Sequence, residues 1–143
     1  MAGARFFSPS PVMPISLAVR AGDFVTTATL GPHFFRAEEV TYDAHGRVLD
    51  DGSGKGHLGI EEQTHVTFGH LRAALESAGC SLEDVIDMTV WLRDPRDFAA
   101  FNCVYAGYFA ANRPTRTVLG AVFMFNCRIE MKALAYKPLA RGV

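Results

Sequence analysis

The chain has 143 residues, of which 49% are hydrophobic and 20% are charged, a composition that excludes a disordered tail or a low-complexity linker. This is the length of a single domain, residues 1–143, and it is long enough to bury one hydrophobic core. The formal net charge of −1 argues against a protein that binds nucleic acid by neutralising phosphates, since such proteins carry a basic excess.

The first half of the chain predicts a β-hairpin, a glycine-rich loop and a long helix. Residues 17–20 and the Val-, Thr- and Phe-rich run 24–30 flank Ala-Gly-Asp, a tight-turn sequence, and so predict two paired strands. Five glycines within residues 43–59 predict a loop, with a short strand at 47–49. Residues 60–78 predict a helix whose apolar positions recur every three or four residues. The predicted buried stripe consists of Thr64, Phe68, Leu71, Leu75 and Ala78.

The second half predicts strand, helix, strand and strand. Residues 85–92 alternate and predict a half-buried strand, with Ile86, Met88, Val90 and Leu92 on the buried face. Asp94-Pro95 is typical of a helix start, and it precedes a second helix. The predicted buried stripe of that helix consists of Phe98, Phe101, Tyr105 and either Tyr108 or Phe109. Residues 113–123 and 128–136 predict the last two strands, so the fold class is α+β with two helices on one face of a mixed sheet.

The cysteines and the N-terminus indicate a cytoplasmic protein. The three cysteines, Cys80, Cys103 and Cys127, are odd in number and form no C-x-x-C pair, which favours reduced thiols over disulfides or structural zinc. The first 14 residues contain no apolar run of the kind found in a signal peptide. No stretch approaches the roughly 18 apolar residues of a membrane span. We therefore expect a soluble, cytoplasmic protein.

Common catalytic motifs are not found. Gly54-Lys55-Gly56 lacks the spacing and the hydroxyl residue of a phosphate-binding loop. His65 and His70 are five residues apart on the predicted helix and do not share a face, which argues against a metal site. No G-x-S-x-G sequence is present to supply a serine nucleophile. These observations argue against a phosphate-binding loop, a metal site and a serine nucleophile.

Among the charged residues, Arg116 and Glu130 are the candidates for a functional site. Each lies within a predicted strand that is otherwise strongly apolar. Each is compatible with a position that merely faces solvent. The predicted helices cover one face of the sheet. If a partner subunit covers the other face, however, an arginine and a glutamate on it are costly unless they are paired or bind a ligand.

Four stretches of the sequence resemble the RidA/YjgF family, and together they extend over most of residues 14–136. They are PISLAVRAGDFV at 14–25, the helix–strand–helix block at 61–109, RPTRTVLGAV at 113–122 and IEMKALAY at 129–136. The order and spacing of these blocks are those of the family. Residues 32–59 resemble a loop or hairpin insertion relative to compact members.

The resemblance implies a chorismate-mutase-like subunit in a homotrimer, with three clefts between neighbouring subunits. Typical members hydrolyse reactive enamines and imines of 2-imino acids to 2-keto acids and ammonia, without a cofactor. By position, Arg116 matches the arginine that holds the substrate carboxylate, and Glu130 the acid that positions water. Asn102 matches an asparagine near the cleft. The implied partners are an imino or keto acid and two further copies of the chain, with no nucleic acid and no membrane.

The sequence departs from the family pattern at several positions of the substrate-binding wall. Ile15 replaces a common tyrosine, Thr29 replaces the glycine of V-S-G-Q, and Val118 replaces a cysteine that is reactive in some members. Gly120 and Lys132 replace acidic residues. The carboxylate-binding arginine is retained, whereas the surface that recognises the rest of the substrate differs.

Several functions therefore stay open on the sequence alone. The first is an imine or enamine deaminase for small 2-imino acids. The second is a catabolic deaminase or hydrolase for a larger amino- or carbamate-bearing acid. The third is a non-catalytic protein that binds small acids. Ribonuclease activity is disfavoured because basic and aromatic residues are not interleaved as in nucleic-acid binders.

Overall fold

A computed structural model of the chain describes residues 3–11, 13–33, 41–46, 48–50 and 58–140. Its main element is a six-stranded mixed sheet. The strands are β1 (Arg5–Pro9), β2 (Ser16–Ala21), β3 (Phe24–Thr27), β6 (Val85–Leu92), β7 (Thr115–Gly120) and β8 (Ile129–Tyr136), arranged in the order β1-β2-β3-β8-β6-β7. Only β6 and β7 run parallel, and they place β7 at one edge of the sheet.

Two helices, α1 (Ile60–Ser77) and α2 (Phe98–Tyr108), cover one face of this sheet. Alternating residues of the central strands point towards them: Ile129, Met131, Ala133 and Ala135 of β8 are all almost completely buried. All five predicted stripe residues of α1 are buried as well. The prediction of an α+β fold with both helices on one face is confirmed.

The predicted hairpin between β2 and β3 is present, with Ala21 paired to Phe24 across the turn. Gly22, in this turn, has a φ of 59°, a left-handed conformation that glycine adopts at little cost. Strand β1 was not predicted, because prolines at positions 9, 11 and 14 indicated an irregular entry. Proline is tolerated at Pro9 because β1 is an edge strand.

The prediction that Ile86 lies on the buried face of β6 was wrong. A register shift between Val85 and Asp87 interrupts the alternation of β6, so that Ile86 is 42% exposed and Val85 takes the buried place. An extra residue of this kind in one strand is a β-bulge, which a strict alternation of apolar and polar residues does not reveal.

The turn before α2 begins as predicted, with the Asp94 side chain accepting a hydrogen bond from the Arg96 amide at 2.9 Å. A short 3₁₀ turn at Pro95–Asp97 then leads into α2. Of the predicted stripe, Phe101, Tyr105 and Phe109 are buried, whereas Phe98 is 42% exposed. The prediction that Phe98 belongs to the core was therefore wrong, since it lies in the first turn at the rim.

The predicted insertion at 32–59 lies partly outside the described residues. The described part contains a small antiparallel hairpin of β4 (Thr41–Tyr42) and β5 (Val48–Asp50). Within the described ranges, no helix combines the length and the apolar character needed to cross a bilayer.

Among the described residues, no helix covers the second face of the six-stranded sheet. This helix-free face includes Trp91, Leu119 and Leu134, which are half-buried or exposed. It is thus partly apolar.

Candidate functional site

Arg116 lies on the edge strand β7, beside Met88 of β6. Paired residues in neighbouring strands share a face, and Met88 is completely buried beneath the helices. The Arg116 side chain is therefore on the helix-covered face, where it is half-buried against α2.

Aromatic rings of α2 support the guanidinium of Arg116. Its Cζ atom lies 4.6 Å from the ring centre of Tyr105, 5.6 Å from that of Phe101 and 5.8 Å from that of Phe98. A cation over an aromatic face gains about 0.5–2 kcal/mol, depending on how far it is removed from water. The rings thus limit the motion of the guanidinium without neutralising its charge.

Asn102 fixes the orientation of this guanidinium. Its Oδ1 atom accepts a hydrogen bond of 2.7 Å from Nη1 of Arg116. Within the part of the chain that the structure describes, no carboxylate pairs with Arg116. Because a guanidinium has five N–H donors, several remain for an anionic ligand.

Tyr105 adds a buried hydroxyl to this group. The residue is only 7% exposed, and its hydroxyl has no hydrogen-bond partner among the described residues. Burial raises the pKa of Tyr105 to about 12, although the nearby Arg116 acts in the opposite direction. The hydroxyl is therefore protonated at neutral pH and leaves the positive charge of Arg116 uncompensated.

Val118 lies on the same face as Arg116, beside Val90, and packs against the core. It provides an apolar wall two residues from the guanidinium. The support of Arg116 by the aromatic residues of α2 was not predicted. Their helical spacing identified the buried stripe, but nothing in it indicated which strand residue would lie on the rings.

Glu130 is on the opposite face of the sheet. It pairs with Trp91, between the buried neighbours Ile129 and Met131. Burial alone raises the pKa of its carboxyl to about 6. No hydrogen bond or ion pair to this carboxyl comes from the residues within the described ranges. A carboxyl of this kind is ionised at neutral pH yet retains a useful basicity.

Gly31 approaches Glu130 closely, a contact that was not predicted. A Cβ atom at Gly31 would lie 3.2 Å from the carbonyl oxygen of Ile129 and 3.4 Å from Cγ of Glu130. The first contact is with backbone, which cannot move aside easily. The ring atom Nδ1 of His70 lies 2.9 Å from the Gly31 carbonyl oxygen and ties this loop to α1. In the sequence, Gly31-Pro32 indicated only the end of a strand.

Ile15 and Thr29 lie along a groove of about 860 Å³. Ile15 is 43% exposed, and Thr29 is exposed as well. The isolated pairing of Leu30 with Met131 places Thr29 next to Lys132, which also lines the groove. Lys132 pairs with Thr89 of β6, on the same helix-free face as Glu130.

The six predicted site residues thus form two groups. Arg116, Asn102 and Val118 lie together on the helix-covered face, and Glu130, Thr29 and Ile15 lie on or next to the helix-free face. Strand β6 separates β7 from β8, so the strands that carry Arg116 and Glu130 are about 10 Å apart. Within one protomer, Arg116 and Glu130 thus extend from opposite faces of the sheet.

Comparisons with known proteins show relatives along nearly the whole chain. Residues 8–137 match the family described as Endoribonuclease L-PSP. A RutC family protein of Pyrococcus horikoshii is 35% identical over 131 residues, covering 91% of this chain and 92% of that protein. The 2-iminobutanoate/2-iminopropanoate deaminase of Dermatophagoides farinae is 26% identical, covering 89% and 88% respectively.

A solved structure, E. coli TdcF with bound serine, superimposes with a TM-score of 0.71 at 25% identity, covering 90% of this chain and 92% of TdcF. The order of the blocks, the sheet with its two helices and these matches lead to one assignment. The chain belongs to the RidA/YjgF family.

Proposed function

We propose that this protein is a homotrimeric deaminase that hydrolyses enamine and imine intermediates of 2-imino acids to 2-keto acids and ammonia. The observation that carries the proposal is the state of Arg116. Its guanidinium rests on aromatic rings, donates one hydrogen bond to Asn102 and keeps its remaining donors for a ligand. A planar carboxylate accepts two parallel hydrogen bonds from such a guanidinium.

The reaction follows from the position of the bound carboxylate. Arg116 holds the carboxylate, and this fixes the adjacent imine carbon. Water attacks the carbon of the protonated imine and gives a proton to the carboxylate of Glu130, which leaves a neutral carbinolamine. The Glu130 carboxyl then returns this proton to the nitrogen, the carbon–nitrogen bond breaks and ammonia leaves. The hydroxyl group transfers its proton to the Glu130 carboxylate, which leaves the 2-keto acid. A protonated imine is already electrophilic, so the residues need only position it and the water.

The two groups of site residues support an active site made from two subunits. Because Arg116 and Glu130 lie on opposite faces, a second copy must supply one of them to each site. A two-fold dimer can pair Arg116 of one copy with Glu130 of the other as well, so the number of copies follows from the resemblance to the RidA/YjgF family, which implies a homotrimer. The partly apolar helix-free face provides the surface for that contact.

The names of relatives support the chemistry. The protein from Dermatophagoides farinae is named as a deaminase of 2-imino acids, and a protein of Acinetobacter baylyi, 35% identical over 82 residues, as a 3-aminoacrylate deaminase. Serine, bound in the TdcF structure, is also a small carboxylic acid with nitrogen at the second carbon. The net charge of −1 does not favour the alternative of an endoribonuclease.

The test is hydrolysis of 2-iminopropionate generated in situ by an amino-acid oxidase. We expect the wild-type protein to accelerate its loss, and Arg116→Ala to reduce kcat/KM by about 10²–10³-fold, because two charge-assisted hydrogen bonds are lost. Arg113→Ala is the matched control, since the one described hydrogen bond of the Arg113 side chain goes to the Phe109 carbonyl, at 3.1 Å. A folded Arg116→Ala variant as active as the wild type would contradict the proposal.

A further inference from the structure

Lys132 is a cationic residue on the face that carries Glu130. It lies two residues after Glu130 on β8, is exposed, and lines the groove together with Thr29 and Ile15. Within the described ranges, Lys132 has no hydrogen-bond or ion-pair partner. Its charge is therefore available to a molecule that enters the groove.

The rest of the groove favours an anion at this point. Its other described lining residues are apolar, hydroxyl-bearing or small, and none of these is acidic. Near apolar walls an ammonium group interacts more strongly with a carboxylate than it does in open water. Threonine hydroxyls can donate further hydrogen bonds to the same carboxylate.

The spacing of Lys132 and Glu130 fits a short chain with two acidic ends. Residues two apart on a strand lie on one face, with Cα atoms about 6.6 Å apart. In 2-iminoglutarate, three carbon–carbon bonds separate the imine carbon from the distal carboxylate. With that imine carbon next to the water at Glu130, the distal carboxylate comes within reach of the flexible Lys132 side chain.

We infer that Lys132 is a specificity-determining residue, and that the preferred substrates are dicarboxylic 2-imino acids of four to six carbons. The inference rests on the proposed function. The carboxylate next to the imine carbon binds Arg116 from one subunit, while the distal carboxylate binds Lys132 of the subunit that supplies Glu130. The replaced groove residues Ile15 and Thr29 form the wall along which the chain of the substrate lies.

The test compares two imines, 2-iminoglutarate and 2-iminopropionate, generated in situ by amino-acid oxidases. We expect the wild type to prefer 2-iminoglutarate in kcat/KM. Lys132→Met should lower kcat/KM for that substrate by about 10–100-fold, the effect of losing one charge-assisted hydrogen bond, and leave 2-iminopropionate nearly unchanged. Lys132→Arg should retain most of the preference. Lys137→Met, which removes the same charge where it pairs with Asp84 at 3.6 Å, should leave both rates unchanged.

Two further measurements separate the possible outcomes. Calorimetry should show 2-oxoglutarate binding more tightly than pyruvate to the wild type but not to Lys132→Met. This comparison decides the inference even if neither imine is hydrolysed, a result that would overturn only the proposed function. An equal loss of activity on both imines, or a change of oligomeric mass in Lys132→Met, would assign Lys132 to subunit assembly and overturn the inference.

Discussion

The two faces of the sheet hold charged residues in different ways. On the helix-covered face, the protomer itself supplies every support of Arg116: three aromatic rings, Asn102 and the apolar Val118. On the helix-free face, Glu130 is partly buried but has no polar partner among the described residues. The surroundings of Arg116 are thus supplied within the protomer, whereas the described residues of the protomer give the Glu130 carboxyl no polar partner.

In the proposed mechanism, this difference corresponds to different roles for Arg116 and Glu130. The supported arginine has a fixed position and suits binding. The carboxyl with a raised pKa suits proton transfer, because its basicity lies near the operating pH. Changes on the two faces should therefore affect different kinetic parameters.

The largest effect is expected for Glu130→Gln, which keeps the shape of the side chain and removes the base. We expect kcat for 2-iminopropionate to fall by about 10²–10⁴-fold, the usual contribution of general acid–base catalysis, with little change in KM. Arg116→Ala should instead act largely through KM, as the bound carboxylate is lost. A Glu130→Gln variant that raised only KM would remove the distinction between the faces.

A smaller effect on activity is expected at Asn102, where the relative size of the losses in two variants is informative. Asn102→Ala leaves the guanidinium on its rings with one orienting bond fewer, so kcat/KM should fall about tenfold. Asn102→Asp places a carboxylate where the amide oxygen lies 2.7 Å from Nη1, which neutralises the binding charge. We therefore expect a larger loss in Asn102→Asp than in Asn102→Ala.

The reverse order at Asn102 would contradict the role of Arg116 as a free cation. The folding of both variants is checked by thermal unfolding, because either one changes the packing of α2. Calorimetric titration with pyruvate then measures whether the loss lies in the binding of a carboxylate.

The smallest expected effect is on the pH dependence of the free energy of unfolding. The pKa of the Glu130 carboxyl rises on folding from an ordinary 4.5 to about 6. Below pH 4.5 the carboxyl is protonated in both states. Between pH 4.5 and pH 6 the carboxyl ionises mainly in the unfolded state. Ionisation therefore favours unfolding, and the free energy of unfolding falls as the pH rises through this range.

Glu130→Gln removes this titration. Relative to the wild type, its free energy of unfolding should increase by about 1 kcal/mol between pH 4 and pH 7, a value limited by solvent at the exposed part of the carboxyl. Urea unfolding at a fixed protein concentration measures the difference. A constant difference over this range would show that folding does not raise the pKa of Glu130.

The sequence was sufficient to predict the helices, their common face and the strands of the main sheet other than β1, because residue periodicity reflects burial directly. It identified Arg116 and Glu130 as charges within apolar strands, but it did not show that they face opposite sides. That fact depends on the registers of β7 and β8 against β6, which are pairings between distant segments. The close approach of Gly31 to Glu130 depends on the same kind of pairing, between Leu30 and Met131.

The shared active site can be tested most directly by mixing two inactive chains. Arg116→Ala and Glu130→Gln are co-expressed with different tags, and assemblies that contain both are purified. If each site takes Arg116 from one subunit and Glu130 from the next, each mixed trimer contains one intact site among its three, and activity returns to about one third of the wild type. If the mixed assemblies stay as inactive as either parent, both residues act within one chain, and an active site built from two subunits is contradicted.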